Sequence, residues 1–227
     1  MKYLICSILF FAPQILNAQT EVPISIFIKD ANGRLVDGLG AGYKMEGSPY
    51  LLKSFKSASI INSRGKSYAN ITANINLETN EIIFETPDNK KMAVSIPVSR
   101  IIFEDPETNS KQTFLSGFSP IDRLTDRSFY QLLDSGTVLL LKSYQVSFTE
   151  SRGYSESTPT RVYEQNTAYY LFLPATGLVK VPRSISDVPG LFEKEKKDKL
   201  NSFIRTNQLK SRNEADLIKL IAYYNSL

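Results

Sequence analysis

From about residue 22 to residue 181 the apolar positions recur with a period of two, the spacing of a half-buried strand rather than of a helix. Val22, Ile24, Ile26 and Ile28 alternate with Pro23, Ser25, Phe27 and Lys29, and Asp30-Ala31-Asn32-Gly33 then supplies a turn. The clearest run is Asn70 to Leu77. Ile71, Ala73, Ile75 and Leu77 there alternate with Asn and Thr, which predicts an antiparallel strand with one wet face. Glu78-Thr79-Asn80 is the predicted turn and Glu81 to Glu85 the partner. Met92, Val94, Ile96 and Val98 repeat the pattern, and Ile101, Ile102 and Phe103 follow. Further on, Phe129–Leu133 and Thr137–Thr149 flank Asp134-Ser135-Gly136, and Arg161–Leu173 and Leu178–Val181 flank Pro174-Ala175-Thr176-Gly177. Both read as hairpins. Between them Glu150–Thr160, rich in Ser, Thr, Gly and Pro, reads as a long exposed loop.

Near residue 184 the period changes. Pro189–Thr206 has helical composition, with Phe192, Leu200, Phe203 and Ile204 on one side and a Glu-Lys-rich stretch on the other. Ser211-Arg212-Asn213-Glu214 matches a capping box, in which Ser211 would cap the next helix and Glu214 reach back. Leu217, Leu220, Ile221 and Tyr224 then form an i, i+3, i+4, i+7 stripe. Strands followed by helices predict an α+β fold. It would be mainly antiparallel β, a meander or hairpins forming a sheet, sandwich or open barrel, with a C-terminal helical hairpin. The predicted organisation is a signal peptide over 1–18, an antiparallel β region over 19–183, and a helical hairpin over 184–227 packed on it.

The first 18 residues change the picture from fold to location. Lys2 precedes an apolar stretch from Leu4 to Leu16, and Asn17-Ala18 ends on a small residue, the pattern of a secretory signal with Gln19 as mature start. The stretch is shorter than a span of ~20 residues and contains Pro13, and no later run is apolar enough to cross a bilayer. Cys6 lies inside it, away from the place of a lipid-attachment cysteine.

The 227 residues contain no His, no Trp and only that one Cys. Ser-His-Asp and Cys-His nucleophile pairs are thereby excluded, as is a zinc site built from His or Cys in the mature chain. Lys and Arg number 27 against 23 Asp and Glu. A pI near 9.0 could suggest nucleic acid. The basic side chains of 190–227 (Lys194, Lys196, Lys197, Lys199, Arg205, Lys210, Arg212 and Lys219) are, however, interleaved with Glu193, Glu195, Asp198, Glu214 and Asp216. That pattern is a solvated helix face, so no nucleic-acid partner is expected.

Candidate chemistry is sparse. Gly38-Leu39-Gly40-Ala41-Gly42 lacks the helix a phosphate cradle needs and reads as a turn. Glu104/Asp105/Glu107 and Asp122/Asp126 are the acidic pairs a glycosidase could use, although turn composition explains them as well. Ser54/Lys56 and Ser110/Lys111 are the available Ser-Lys pairs. Tyr144, Phe148, Tyr154, Tyr163, Tyr169, Tyr170 and Phe172 could line a ligand groove, but strand core is the simpler reading. Asn70-Ile71-Thr72 matches a glycosylation acceptor and reads as part of the wet face. No catalytic, cofactor-binding or metal residue is assigned, and no cofactor is expected.

Three segments together resemble a group of exported proteins of Bacteroidota without assigned activity. They are Gly47-Ser48-Pro49-Tyr50-Leu51 with Phe55 and Gly65-Lys66-Ser67-Tyr68; Phe129–Gly136 leading to Leu140-Leu141-Lys142; and the tail Phe203–Leu227. The resemblance implies location and architecture and carries over no site residue. The expectation is a non-enzymatic binding or accessory protein of the bacterial cell envelope, periplasmic or extracellular, with an envelope protein or ligand as partner. The alternative is a carboxylate-dependent hydrolase of envelope glycans. An outer-membrane β-barrel fits the alternation but not the helical pattern of the last residues.

Overall fold

A computed structural model describes residues 24–36, 42–105, 110–154, 157–211 and 213–227. The signal-like segment 1–18, Gly38–Ala41, Glu107 and Arg212 lie outside these residues. The first element corrects the strand expected over Val22–Ile28: Ile24–Ala31 is a helix, α1. Ile24, Phe27, Ile28 and Ala31 also satisfy the helical period, and that period wins. Phe27, which strand alternation would place on the wet side, is fully buried, whereas Ile26 is exposed. The Phe27 ring sits edge-on to Tyr68 and Phe84, both at 5.0 Å.

Twelve strands follow: β1 (Arg34–Leu35), β2 (Lys44–Glu46), β3 (Lys56–Asn62), β4 (Ser67–Asn76), β5 (Glu81–Glu85), β6 (Lys91–Ala93), β7 (Val98–Asp105), β8 (Ser110–Leu115), β9 (Tyr130–Asp134), β10 (Leu139–Ser151), β11 (Thr160–Leu173) and β12 (Gly177–Lys180). They form one open sheet in the order β1-β6-β5-β4-β3-β7-β8-β9-β10-β11-β12. All pairings on this path are antiparallel, and β2 adds to β11 in parallel. The long loop expected over Glu150–Thr160 is shorter than that, because β10 and β11 stay in register as far as Ser151↔Thr160.

The sheet is rolled. Although β11 lies six places from β4 in strand order, the Tyr163 hydroxyl donates to Glu78 beyond the end of β4 at 3.0 Å, and the Gln165 amide donates to the Tyr50 carbonyl at 3.2 Å. Cross-strand bulges accompany this curvature. One lies in the β3–β4 ladder, where the register shifts between Ala58 and Ile60 and Asn70 takes a left-handed φ of 58°.

The wet face predicted for Asn70–Leu77 holds only at its start. Asn74 and Asn76 are buried. The Asn74 amide accepts from Leu52 N–H at 3.1 Å and donates to Leu52 C=O at 2.8 Å, standing in for a neighbouring strand. The Asn76 side chain accepts from Glu78 and Thr79 N–H and builds the next turn.

After the sheet come a 3-10 helix, Ile185–Leu191, then α2 (Lys194–Thr206) and α3 (Glu214–Ser226). The single helix expected over Pro189–Thr206 is therefore two elements. Pro189 sits inside the short 3-10 turn, and the chain is extended again at Phe192 before α2 begins. The capping box is also corrected: Asn213, not Ser211, caps α3, accepting from Ala215 and Asp216 N–H at 3.0 and 3.4 Å. Ser211 instead accepts from Ile185 N–H at 3.0 Å and ties the interhelical turn to the 3-10 helix.

The helices lie on the sheet. Leu217, Leu220, Ile221 and Tyr224 of α3 and Leu200 of α2 are buried with Val138, Leu140 and Leu171. Phe192 stacks on Tyr224 at 4.0 Å and Phe203 on Tyr223 at 4.1 Å. On the other face of β9–β11, Tyr130, Leu141 and Tyr170 are buried together with Leu124. A separate core packs α1 against β3, β4, β5 and β7.

Candidate functional site

The sequence candidates are scattered rather than gathered. Asp105 pairs with Lys56 at 3.1 Å and Glu104 with Lys111 at 2.8 Å, so two of the acids neutralise the lysines of the two Ser-Lys pairs. Asp122 accepts from the Tyr170 hydroxyl at 2.9 Å and from Lys180 at 2.7 Å, and these bonds hold its carboxyl below the usual range. Asp126 is elsewhere, in a cleft of about 390 Å³ that is also lined by Glu81, Asn80, Ser95 and Arg127. Glu81 is held there by Arg34 at 3.0 Å.

The aromatic residues divide by role. Tyr163 and Tyr170 are buried, Tyr144, Tyr169 and Phe172 are half-buried, and Phe148 and Tyr154 are exposed. Arg161 lies between the Tyr43 and Phe148 rings, 4.0 and 4.4 Å from their centres, and bonds Glu150 at 2.8 Å. These residues fasten the roll of the sheet. Burial pushes the Tyr130 phenol up to about 12, with the Asp122 charge adding to it, and its buried hydroxyl has no hydrogen-bond partner among the described residues.

The feature that sequence reading missed is a second cleft, of about 460 Å³, where β12 ends against the start of α3. Pro182 has no N–H to give the sheet, and past Val181, whose N–H still reaches Tyr169 C=O at 2.9 Å, the chain crosses to the 3-10 helix. The departure leaves a space floored by Val181, Ile185, Val188 and Leu217 and rimmed by Lys180, Arg183 and Lys210, with Thr167 and Asn213 between. Among the described residues no Asp or Glu lines it. Lys180 is engaged with Asp122, but among the described residues neither the Arg183 nor the Lys210 side chain has an ion-pair partner.

Behind Tyr169 the cleft wall is rigid. Lys142 donates to Glu214 at 2.6 Å, and Tyr169 donates to the same oxygen at 2.8 Å. Burial alone would raise the Glu214 carboxyl, yet the bonds from Lys142 and Tyr169 outweigh it and hold Glu214 below its usual value. The N-terminus of α3 is already answered by the Asn213 cap and by Glu214 and Asp216 in its first turn. A ligand's charge would therefore meet Arg183 and Lys210 rather than the helix end. Nothing in the sequence marked this site, because Arg183 and Lys210 are separated by the charged segment of α2 and no spacing joins them.

Among the described residues no three Asp, Glu, His or Cys side chains are grouped to hold a metal ion, and no helix is long and apolar enough to cross a membrane. No family model, curated protein or solved structure matches the chain.

Proposed function

We propose that this chain is a non-enzymatic binding protein of the bacterial cell envelope, exported to the periplasm or cell exterior, and that the cleft between β12 and α3 holds its ligand. The observation that carries the reading is an apolar floor beneath two cations that have no ion-pair partner among the described residues, on a wall held by Lys142, Glu214 and Tyr169. Such a site suits a ligand with an apolar body and a negative group. Export rests on the signal pattern of residues 1–18 and on the resemblance to exported Bacteroidota proteins. A general acid requires a carboxyl raised toward neutrality. Asp30, Asp88, Asp122 and Glu214 are all pulled the other way by Lys or by Lys and Tyr or Thr partners. These four are therefore not poised as general acids.

The test is capture from envelope extract by the mature protein, compared with Arg183→Glu/Lys210→Glu. The reading expects specific capture that the double variant loses, and capture indifferent to both substitutions would refute it.

The second reading, a carboxylate-dependent hydrolase of envelope glycans, is favoured by the placing of Glu81 and Asp126 in one cleft. Turnover of an envelope polysaccharide that disappears in Asp126→Asn or Glu81→Gln would put it first.

A further inference from the structure

The cleft continues into a gap in the sheet. β11 is paired from Thr160 to Phe172 with β10 on one side. On its other side β2 covers only Thr160–Val162, and β12 covers only Tyr170–Leu173. Val181 N–H takes the Tyr169 C=O and Gly47 lies against the Tyr163 C=O, so among the described residues the stretch with no backbone partner on this side is Glu164–Ala168. The direction of its backbone groups follows from its neighbours. Lys44 N–H reaches Pro159 C=O, Val181 N–H reaches Tyr169 C=O, and Thr176 N–H reaches Leu173 C=O. The odd-numbered residues of β11 thus face outward, and the β10 ladder runs without a shift between them. Gln165 and Thr167 accordingly present N–H and C=O groups to solvent, and Glu164, Gln165, Asn166 and Thr167 are all exposed. Thr167, Ala168 and Tyr169 also line the cleft, so the open edge leads directly to Arg183 and Lys210.

We propose that an extended, acidic polypeptide segment of a partner adds to β11 between β2 and β12 as a short strand, its carboxylate lying over Arg183 and Lys210. This rests on the cleft reading and names its ligand class. Strand addition uses the main-chain bonds that Gln165 and Thr167 offer, and the cleft supplies selectivity. At about 3.3 Å per residue, Glu164 to Ala168 spans about 13 Å, room for roughly three to five residues. The edge is recessed: β2 and β12 stand about 4.8 Å proud of it at either end, one strand spacing. A second copy of this chain carries the same protruding flanks, so two such edges block each other, whereas a free tail or a loop-borne segment enters. Charge gives the polarity. At the β2 end Lys44 and Arg161 balance Glu46 and Glu164, whereas Arg183 and Lys210 stand together at the other, so the segment's acidic end belongs at the α3 end.

The probe is a fluorescein-labelled hexapeptide of alternating Thr and Val ending in two Glu, titrated onto the mature protein and followed by anisotropy. Saturable binding is expected, weakened ~10-fold or more by Arg183→Glu/Lys210→Glu, and by a similar factor when alternate peptide nitrogens are methylated. The methylated peptide leaves the protein untouched, so misfolding cannot mimic the result. Equal binding of the methylated peptide overturns strand addition. No peptide binding, with extract capture still dependent on Arg183 and Lys210, also overturns it and leaves the cleft reading standing. Extract capture that ignores both cations overturns the two together. A dimer in sedimentation that the peptide dissociates would replace the partner segment with a second copy.

Discussion

Two buried tyrosines, Tyr130 and Tyr170, pack edge to face at 5.6 Å and differ in one respect: the Tyr170 hydroxyl donates a hydrogen bond to Asp122, while among the described residues the Tyr130 hydroxyl has no partner. A buried hydroxyl without a partner retains its desolvation penalty, whereas a bonded one recovers it. Tyr130→Phe is therefore expected to be neutral or to stabilise by up to about 1 kcal/mol. Tyr170→Phe should destabilise by about 1 kcal/mol, at the low end for a bond to a charged group because Asp122 is partly exposed and keeps Lys180. Urea midpoints at unchanged slope would measure both, and a loss in Tyr130→Phe as large as that in Tyr170→Phe would contradict the assignment. Asparagine shows why single residues mislead when read alone. Polarity put Asn74 on a wet face, yet its amide carries a donor and an acceptor like a peptide group and can replace a strand neighbour inside the core. Asn225 does the same for Val138, accepting from its N–H at 3.0 Å and donating to its C=O at 3.1 Å. Composition distinguishes neither from a solvent-facing Asn.

At the scale of elements, the hairpins β9–β10 and β11–β12 were legible because turn residues and alternation agreed, and the stripe on α3 because its period was unambiguous. α1 was not, since Ile24–Ala31 satisfies both periods over a single short run and only contact with Tyr68 and Phe84 decides between them. The start of α3 was misplaced by two residues because Glu214 is drawn away by Lys142, a partner 72 residues distant. That bond joins α3 to β10 and sets a pH dependence. Folded Glu214 titrates below its ordinary 4.5, so its contribution is complete above that value and is lost as pH falls through the folded one. Lys142 is pulled down by burial but raised more by Glu214, giving a net value above 10.5, so its contribution is lost only as pH rises beyond that. Glu214→Gln should cost about 1 kcal/mol at pH 7, discounted for the partial exposure of the carboxylate. The difference from the unsubstituted protein should narrow as pH falls below 4.5 and close once the folded carboxyl is protonated. Urea unfolding of both proteins over a descending pH series checks this, and a difference independent of pH would show that the ion pair is not its source.

For the whole molecule, the question is what holds the second half of the sheet, whose β9–β11 strands carry apolar residues on both faces. One face is closed by Leu124 and the aromatic residues around Tyr130 and Tyr170, the other by α2 and α3. Leu217, Leu220, Ile221 and Tyr224 are all buried, and each contributes on the order of 1.5–3 kcal/mol. Together they rival the roughly 5–15 kcal/mol of net stability of a typical domain. The surplus positive charge of the tail is screened over ~8 Å at physiological salt and could not hold the helices in place by itself. Apolar packing does so, assisted by Asn225 on the β9–β10 turn and by Glu214 on Lys142. Truncation after Asn207 removes α3, bares Val138, Leu140 and Leu171, and unpairs Lys142. It should lower the melting temperature sharply or cause aggregation, whereas removing only Ser226 and Leu227 should change little, because both are exposed. Differential scanning calorimetry of the two truncations against the full chain decides the matter. The cleft gives a second readout, since Asn213 and Leu217 leave with α3 and peptide binding must go with them. A truncated protein that melts like the full chain and still binds the acidic peptide would place both the stability and the site elsewhere.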